Sequence, residues 1–304
     1  MSGTLFTLLA ALGFAAVSTL TSIAIKQGTS LPNVLTWRYV LSSVVLVLFV
    51  GIKGYKRVPS REIAKFIVIG GGGQALLVGL ALSSVPFVGV ATTAFLFYTY
   101  PTWVTIVQAV RGAEKVTARR ALALALSFAG IVIIANVPLG ASIRAAGGAA
   151  GSAAPVPDAL YWKGVALALG AAVVYGGYIP TMQFLQKSHP VPVTSALGKI
   201  GSAVCFLLWS AGDQSFDFHL TTTAWAAIAA LTIFSTVLPS VFFLMGLMRL
   251  GPVRTAIVSM VEPFLTAIIG VIVLGQALTV RTGIGGALIV SAVVLLQFKR
   301  ERVA

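Results

Sequence analysis

The sequence is poor in charge. Asp, Glu, Lys and Arg together make up 9% of 304 residues, where an average soluble domain carries about 25%. That shortage excludes a single core wrapped in a charged, water-facing surface. Carboxylates are scarcest, seven against 21 Lys and Arg. The one cysteine, Cys205, excludes an intrachain disulfide and a cysteine metal cluster. The two histidines, His189 and His219, both fall in expected connections, so no metal site and no cofactor are expected. No Gly-x-x-x-x-Gly-Lys-Ser/Thr phosphate loop occurs, which excludes an ATP-driven pump on this chain. No paired polar groups suit catalysis, so an enzyme is not expected. No Lys or Arg precedes the first apolar run, MSGTLFTLLAALG. A cleaved leader ordinarily starts basic, so the run reads as a first membrane helix.

What is present is apolar. Hydrophobic residues make up 58% of the chain, and residues 66–110 contain no Asp, Glu, Lys, Arg or His. That stretch is about twice what one helix needs to cross a bilayer, ~20 residues. The expected fold is an all-α integral membrane protein with ten transmembrane helices. They run over approximately 4–25, 32–52, 64–83, 87–110, 118–136, 160–186, 190–212, 222–247, 252–274 and 279–298. Spans three and four divide at Ser83-Ser84-Val85-Pro86, whose composition suits a tight connection. Between spans five and six, 16 of the 22 residues 137–158 are Gly, Ala, Pro or Ser, the make-up of a flexible linker. The division is therefore a first five-helix repeat over 1–136, an extracytoplasmic linker over 137–158 and a second repeat over 159–304.

The net charge of +14 could suggest nucleic acid, but the basic residues sit between apolar segments. With the N-terminus in the cytoplasm, 15 Lys and Arg fall in inside connections. Only Lys26, Arg144, Lys163 and Arg281 fall outside. By the positive-inside rule both termini are cytoplasmic, with Lys115 inside and Ala149 outside. The two halves also echo each other. Gly89-x-x-x-Thr93-Ala94 lies twelve residues before Pro101, and Gly251-x-x-x-Thr255-Ala256 twelve before Pro263. Glu114-x-x-Thr117-x-Arg119 answers Gln276-x-x-Thr279-x-Arg281, and Arg38 answers Lys199. Five is odd, so the second half enters the membrane in the opposite sense. Inverted repeats are a recurrent plan of secondary transporters, with the substrate site near the midplane.

Ten spans, two repeats and Val261-Glu262-Pro263-Phe264 in span nine resemble the EamA-type exporters of the drug/metabolite transporter superfamily. So do Trp37-Arg38 in span two and Gly112-Ala113-Glu114 after span four. Two positions depart from that pattern: Tyr100-Pro101 stands where the second half has Glu262-Pro263, and Gly275-Gln276 where relatives commonly have Gly-Glu. The resemblance implies an inner-membrane exporter of small metabolites working by alternating access. Its aromatic content looks most like the YddG-type aromatic amino acid exporters. A drug or nucleotide-sugar carrier of the same superfamily is the alternative, and a membrane-embedded enzyme or a channel stands further off. The expected partners are a small-molecule substrate and the lipid bilayer, with a monomer as the unit and no nucleic acid.

The candidate site starts from Phe95–Trp103, FLFYTYPTW. Pro101 cannot donate a backbone N–H, so the Phe97 carbonyl loses its helical partner and must find another inside the membrane. Tyr98, Thr99, Tyr100 and Trp103 bring rings and hydroxyls to that spot, and Tyr175 and Tyr178 of span six supply a second aromatic group. Glu262 is the single carboxylate within a span, ten residues past Pro252 or ~15 Å along the helix. A charge there costs ~2.5–3.5 kcal/mol on insertion scales and needs a partner. Met260 stands beside it. These eight residues are the substrate-binding candidates, against the plainer reading of core aromatics and a structural acceptor. Arg38, Lys199, Pro101, Pro180, Pro239 and Pro263 are structural or gating candidates. Gly70-Gly71-Gly72-Gly73 opens span three and suits close helix contact.

Overall fold

The computed structural model describes residues 2–55, 58–114, 116–135, 158–274 and 280–297. The expected linker up to residue 157, Ala149 within it, Lys115 and Gly275–Thr279 lie outside the described residues. Those described are helical or in connections, and among them no strand occurs.

In chain order the helices are α1 Gly3–Ala15, α2 Val17–Lys26, α3 Leu31–Ile52, α4 Ser60–Lys65, α5 Gly73–Phe97, α6 Tyr100–Val110 and α7 Ala118–Ala135. There follow α8 Asp158–Gln186, α9 Val191–Gly212, α10 Thr222–Thr232, α11 Leu238–Leu250, α12 Pro252–Ser259, α13 Glu262–Leu274 and α14 Val280–Gln297. Wider π-type turns over Phe66–Gly72 and Ile233–Val237 join α4 to α5 and α10 to α11. Among the described residues, seven stretches are long and apolar enough to cross a membrane: Gly3–Lys26, Leu31–Ile52, Ser60–Val88, Ala159–Gln186, Val191–Gly212, Thr222–Leu250 and Pro252–Ile269. Large apolar side chains such as Leu48, Ile52, Val68, Leu208 and Ile272 stand exposed, as lipid-facing positions do.

Local chemistry sets the ends. Ser2, Ser30 and Thr221 cap α1, α3 and α10 through their hydroxyls, each filling one of the orphan N–H groups of a first turn. Pro32 and Pro192 stand in first turns, where no N–H is needed. Gly251 adopts φ 81° between α11 and α12, a conformation open to glycine, and Pro252 restarts the chain.

The chain forms two compact units, each drawing on both halves of the sequence. The first comprises Met1–Ala75, Thr181–Gly251 and Leu265–Gln276. Within it α1 packs on α11, α2 on α10, and α3 and the first π-type turns on α9. Ala24, Val34, Ile228 and Leu231 form one apolar core. The Tyr39 and Phe206 rings stack at 4.9 Å. Of the glycine run, Gly71 makes the tight approach, since a Cβ there would lie 2.6 Å from the Gly198 carbonyl oxygen. Gly72 has open space, so the run serves contact at one point rather than along its length.

The second unit comprises Leu76–Pro180, Pro252–Phe264 and Ala277–Ala304. Here α7 packs on α14 and α6 on α12. A Cβ on Gly130 would lie 2.5 Å from the Gly285 carbonyl oxygen. Helix α5 continues through Ser83–Pro86, where the sequence predicts a tight connection, with Pro86 inside it. The path still turns there. The Ser84 and Thr93 hydroxyls are 2.7 Å apart, whereas nine residues of straight helix would separate them by ~13.5 Å.

Candidate functional site

Two helix breaks, 162 residues apart in sequence, come together in the second unit. The first lies at Tyr98-Thr99, between the end of α5 and Tyr100-Pro101 at the start of α6. The second lies at Met260-Val261, between α12 and Glu262-Pro263 at the start of α13. In each the proline sits in a first turn, where its missing N–H costs nothing. The turn before α13 is tightened, with the N–H groups of Met260 and Val261 donating to the carbonyls of Ile257 and Val258 at 3.1 and 3.3 Å.

The breaks touch through tyrosines. The Tyr98 hydroxyl interacts electrostatically with the Glu262 carboxylate, and the Tyr100 hydroxyl donates to the Ala256 carbonyl at 3.4 Å. Glu262 also stands in the first turn of α13, where the unpaired N–H groups of a helix favour a negative charge. A carboxylate deep in an apolar chain thus has a hydroxyl and a helix end to hold it. It remains half-buried, so part of it is accessible.

Around this contact lies a continuous aromatic group. Tyr175 of α8 stacks on Phe97 at 5.5 Å and 15° and meets Tyr100 at 4.6 Å. Tyr98 and Tyr100 are 6.3 Å apart, and Tyr178 lies 6.1 Å from Tyr175. Tyr98 and Tyr100 are buried, whereas Phe97, Thr99, Trp103, Tyr175 and Tyr178 are half-buried. Trp103 backs onto Gly176, and a Cβ at that glycine would meet the Trp103 Cβ. The Thr99 hydroxyl donates to the Leu96 carbonyl at 2.7 Å and is spent on its own turn. Met260 is fully buried. Pro180 lies within α8, which continues past it. Phe97 belongs to the cluster although the sequence marks it only for the carbonyl that the break leaves unpaired; its place three residues before Tyr100 was the available signal. A carboxylate bordered by ring faces can hold an ammonium group, and the rings can stack on an apolar or aromatic side chain.

The basic candidates lie in the first unit. Pro239 frees the carbonyl of Ser235, four residues back. Arg38 Nη2 donates to that carbonyl at 3.2 Å, and its Nε donates to Thr236 Oγ1 at 2.6 Å. Lys199 Nζ donates to Gln74 Oε1 at 2.9 Å. Neither Ser235, Thr236 nor Gln74 is singled out by the sequence, although the first follows from counting four back from Pro239.

A separate feature of this unit is the loop between α9 and α10. Trp37 Nε1 and Asn33 Nδ2 donate to the Asp217 carbonyl at 2.9 and 3.1 Å. Phe216, Phe218 and Trp225 gather on the Trp37 ring within 5.5 Å. The Asp217 carboxylate accepts from the His219 backbone N–H at 2.8 Å, which holds its pKa below the ordinary value.

Seven apolar stretches of membrane length among the described residues, with proline breaks inside apolar stretches, make this a polytopic α-helical membrane protein. It belongs to the EamA-like transporter family, whose model matches residues 1–136 and 162–298. The Threonine/homoserine exporter RhtA of Salmonella typhimurium is 36% identical over 121 residues, which is 38% of this chain and 39% of that protein. The Uncharacterized transporter sll1319 of Synechocystis sp. is 26% identical over 141 residues, 45% of this chain and 42% of that one. The chain thus spans about two fifths of the length of the curated relatives it matches. One solved crystal structure superposes with a TM-score of 0.79 over 97% of this chain and 96% of its own at 19% identity, a likeness of fold. Family and relatives alike are transporters.

Proposed function

We propose that this protein is a secondary transporter that exports neutral amino acids, aromatic ones included, by alternating access. The observation that carries the reading is the Tyr98–Glu262 contact at paired helix breaks, bordered by ring faces. In this reading Glu262 receives the substrate ammonium group. Tyr98, Tyr100, Trp103, Tyr175 and Tyr178 bound the space for its side chain, with Thr99 and Met260 shaping the two turns. Pro101, Pro180, Pro239 and Pro263 are the positions where helices bend during the cycle. Membership of a transporter family supports the reading, as does partial similarity to a threonine/homoserine exporter. Ten spans in two inverted five-helix repeats remain the proposed topology, with both termini cytoplasmic. Supporting it are the near-equal lengths of the two family matches and the repeated Gly-x-x-x-Thr-Ala before Pro101 and Pro263.

Export runs down the substrate gradient in this reading, because Glu262 is held by Tyr98 and a helix end rather than left as a free proton carrier. The test is flux in proteoliposomes with L-phenylalanine, L-threonine, a quaternary ammonium drug and a nucleotide sugar, each with and without an imposed pH gradient. Saturable amino acid flux, equal under both conditions, is expected. Transport of the drug alone would replace this reading with that of a cationic drug carrier, since an aromatic-lined carboxylate suits that cargo too. Accumulation driven by the pH gradient and lost in Glu262→Gln would make Glu262 the proton carrier.

A further inference from the structure

Arg38 and Lys199 are nine-tenths or more buried, at 7% and 3% exposure, and among the described residues neither touches a carboxylate. Each lies 5.2 Å from the centroid of one ring, that of Tyr39, so the two charges stand no farther apart than twice that distance. Both sit on the pair of packed helices α3 and α9. Two buried basic groups without a carboxylate make a costly place for charge, and removing the partner of a buried charge is strongly destabilising.

The donor count points the same way. Of five guanidinium N–H groups, Arg38 commits its Nε and one on Nη2, both to uncharged acceptors. Lys199 commits one of three, to an amide oxygen. The Tyr39 hydroxyl, on a side chain 1% exposed, has no hydrogen-bond partner among the described residues. Buried donors in native proteins are satisfied, by protein, water or a bound group. Here three kinds of donor are left over around one ring, and two of them are cationic.

We propose that Arg38, Lys199 and Tyr39 form an anion site that takes a carboxylate. Arg38 has a double duty in it: Nε and Nη2 hold the carbonyl freed by Pro239, and Nη1 faces the ligand. Lys199 supplies the second charge and Tyr39 a neutral donor. Gln74 holds the ammonium in place and lacks the charge to neutralise it. The site stands whether or not the substrate reading above holds, because it rests on the charges and donors of the first unit alone. Its carboxylate comes either from an amino acid or from a small free acid.

The test is thermal unfolding of the full chain in detergent, titrated with sodium acetate, L-threonine or L-threoninamide. Acetate is expected to raise the Tm of the native protein and not that of Lys199→Met, because a ligand that binds only the folded state stabilises it. Lys199→Arg should keep the shift. Tyr39→Phe, which loses only a hydroxyl, should need roughly two- to tenfold more acetate for the same shift, and it carries the test if Lys199→Met does not fold. Without ligand, Lys199→Met should be no less stable than the native protein, where a purely structural lysine would make it less so. Protection by L-threonine and not by threoninamide identifies an amino acid carboxylate; protection by acetate alone identifies a free acid. No shift with any carboxylate, or equal shifts in the native protein and Lys199→Met, would overturn the proposal.

Discussion

The Tyr98–Glu262 contact makes a sharp numerical claim. A hydrogen bond to a charged group contributes about 1.5–3 kcal/mol, a neutral one about 0.5–1.5 kcal/mol. Tyr98→Phe removes the hydroxyl and little else. Glu262 then keeps the first turn of α13, a helix end worth about 0.3–1 kcal/mol to a carboxylate. The carboxylate is therefore weakened and not stranded, and about 2 kcal/mol is the expected loss. Glu262→Gln keeps an acceptor of the same shape and drops the charge. In that background Tyr98→Phe should cost only about 1 kcal/mol, leaving a coupling of about 1 kcal/mol between the two sites. Thermal unfolding in detergent at a fixed scan rate reads this, since 1 kcal/mol shifts the Tm by about 2–4 °C in a chain of roughly this size. Flux in proteoliposomes gives the functional arm, where Tyr98→Phe should fall several-fold at unchanged expression. Additivity of the two substitutions within about 0.3–0.5 kcal/mol, with flux unchanged in Tyr98→Phe, would refute both the contact and its role.

Gly201→Ala places a Cβ 2.9 Å from the Gly71 Cα and should cost about 1–3 kcal/mol by overpacking. Gly72→Ala, with open space around it, should be neutral or stabilising by up to about 1 kcal/mol, and a Tm difference between the two variants checks both. The loop that carries Asp217 should respond to acid. The His219 N–H holds the folded carboxyl below its ordinary value of 3.8, so that contribution is complete above this value and lost as pH falls through the lower folded one. Tryptophan fluorescence from Trp37 and Trp225 should then stay level down to about pH 4 and change below it, while Asp217→Asn should lack that step. For topology, an impermeant thiol reagent applied to intact cells should label His219→Cys and spare Lys187→Cys, both in a Cys205→Ser background because Cys205 is itself exposed; the reverse pattern would invert the proposed orientation.

The helical, membrane-embedded plan was legible because it rests on composition, and composition needs no partner to be read. Residues 66–110 carry no charge, and only helices or closed barrels can satisfy their backbone in lipid. The helix breaks at Tyr100-Pro101 and Glu262-Pro263 were legible for a related reason, since a proline's lost hydrogen bond is a local fact. What escaped is the interior of the helices. The sequence reads 222–247 as one span, and the structure interposes π-type turns over Ile233–Val237 before Pro239. Those turns present the Ser235 carbonyl to Arg38 across 197 residues of chain, a pairing that propensity cannot encode. The same holds for Asn33 and Trp37, which clasp Asp217.

The two polar features share one physical rule. A proline break in an apolar helix exposes a carbonyl or a helix end, and that exposed dipole decides which charge can settle beside it. At Pro239 a carbonyl is freed, and a cation, Arg38, takes it. At Pro263 a helix begins, and an anion, Glu262, occupies its first turn. Arg38 and Glu262 thus each stand where broken backbone favours their sign. Exchanging the residue types should fail at both places. Arg38→Glu would set a carboxylate against the Ser235 carbonyl, and Glu262→Lys would set a cation against the N–H groups of α13. Each loses a favourable dipole and gains an adverse one, so both should cost more than the neutral substitutions Arg38→Gln and Glu262→Gln. Equal losses for the charge-reversed and neutral variants would mean that packing, not backbone electrostatics, holds these residues where they are.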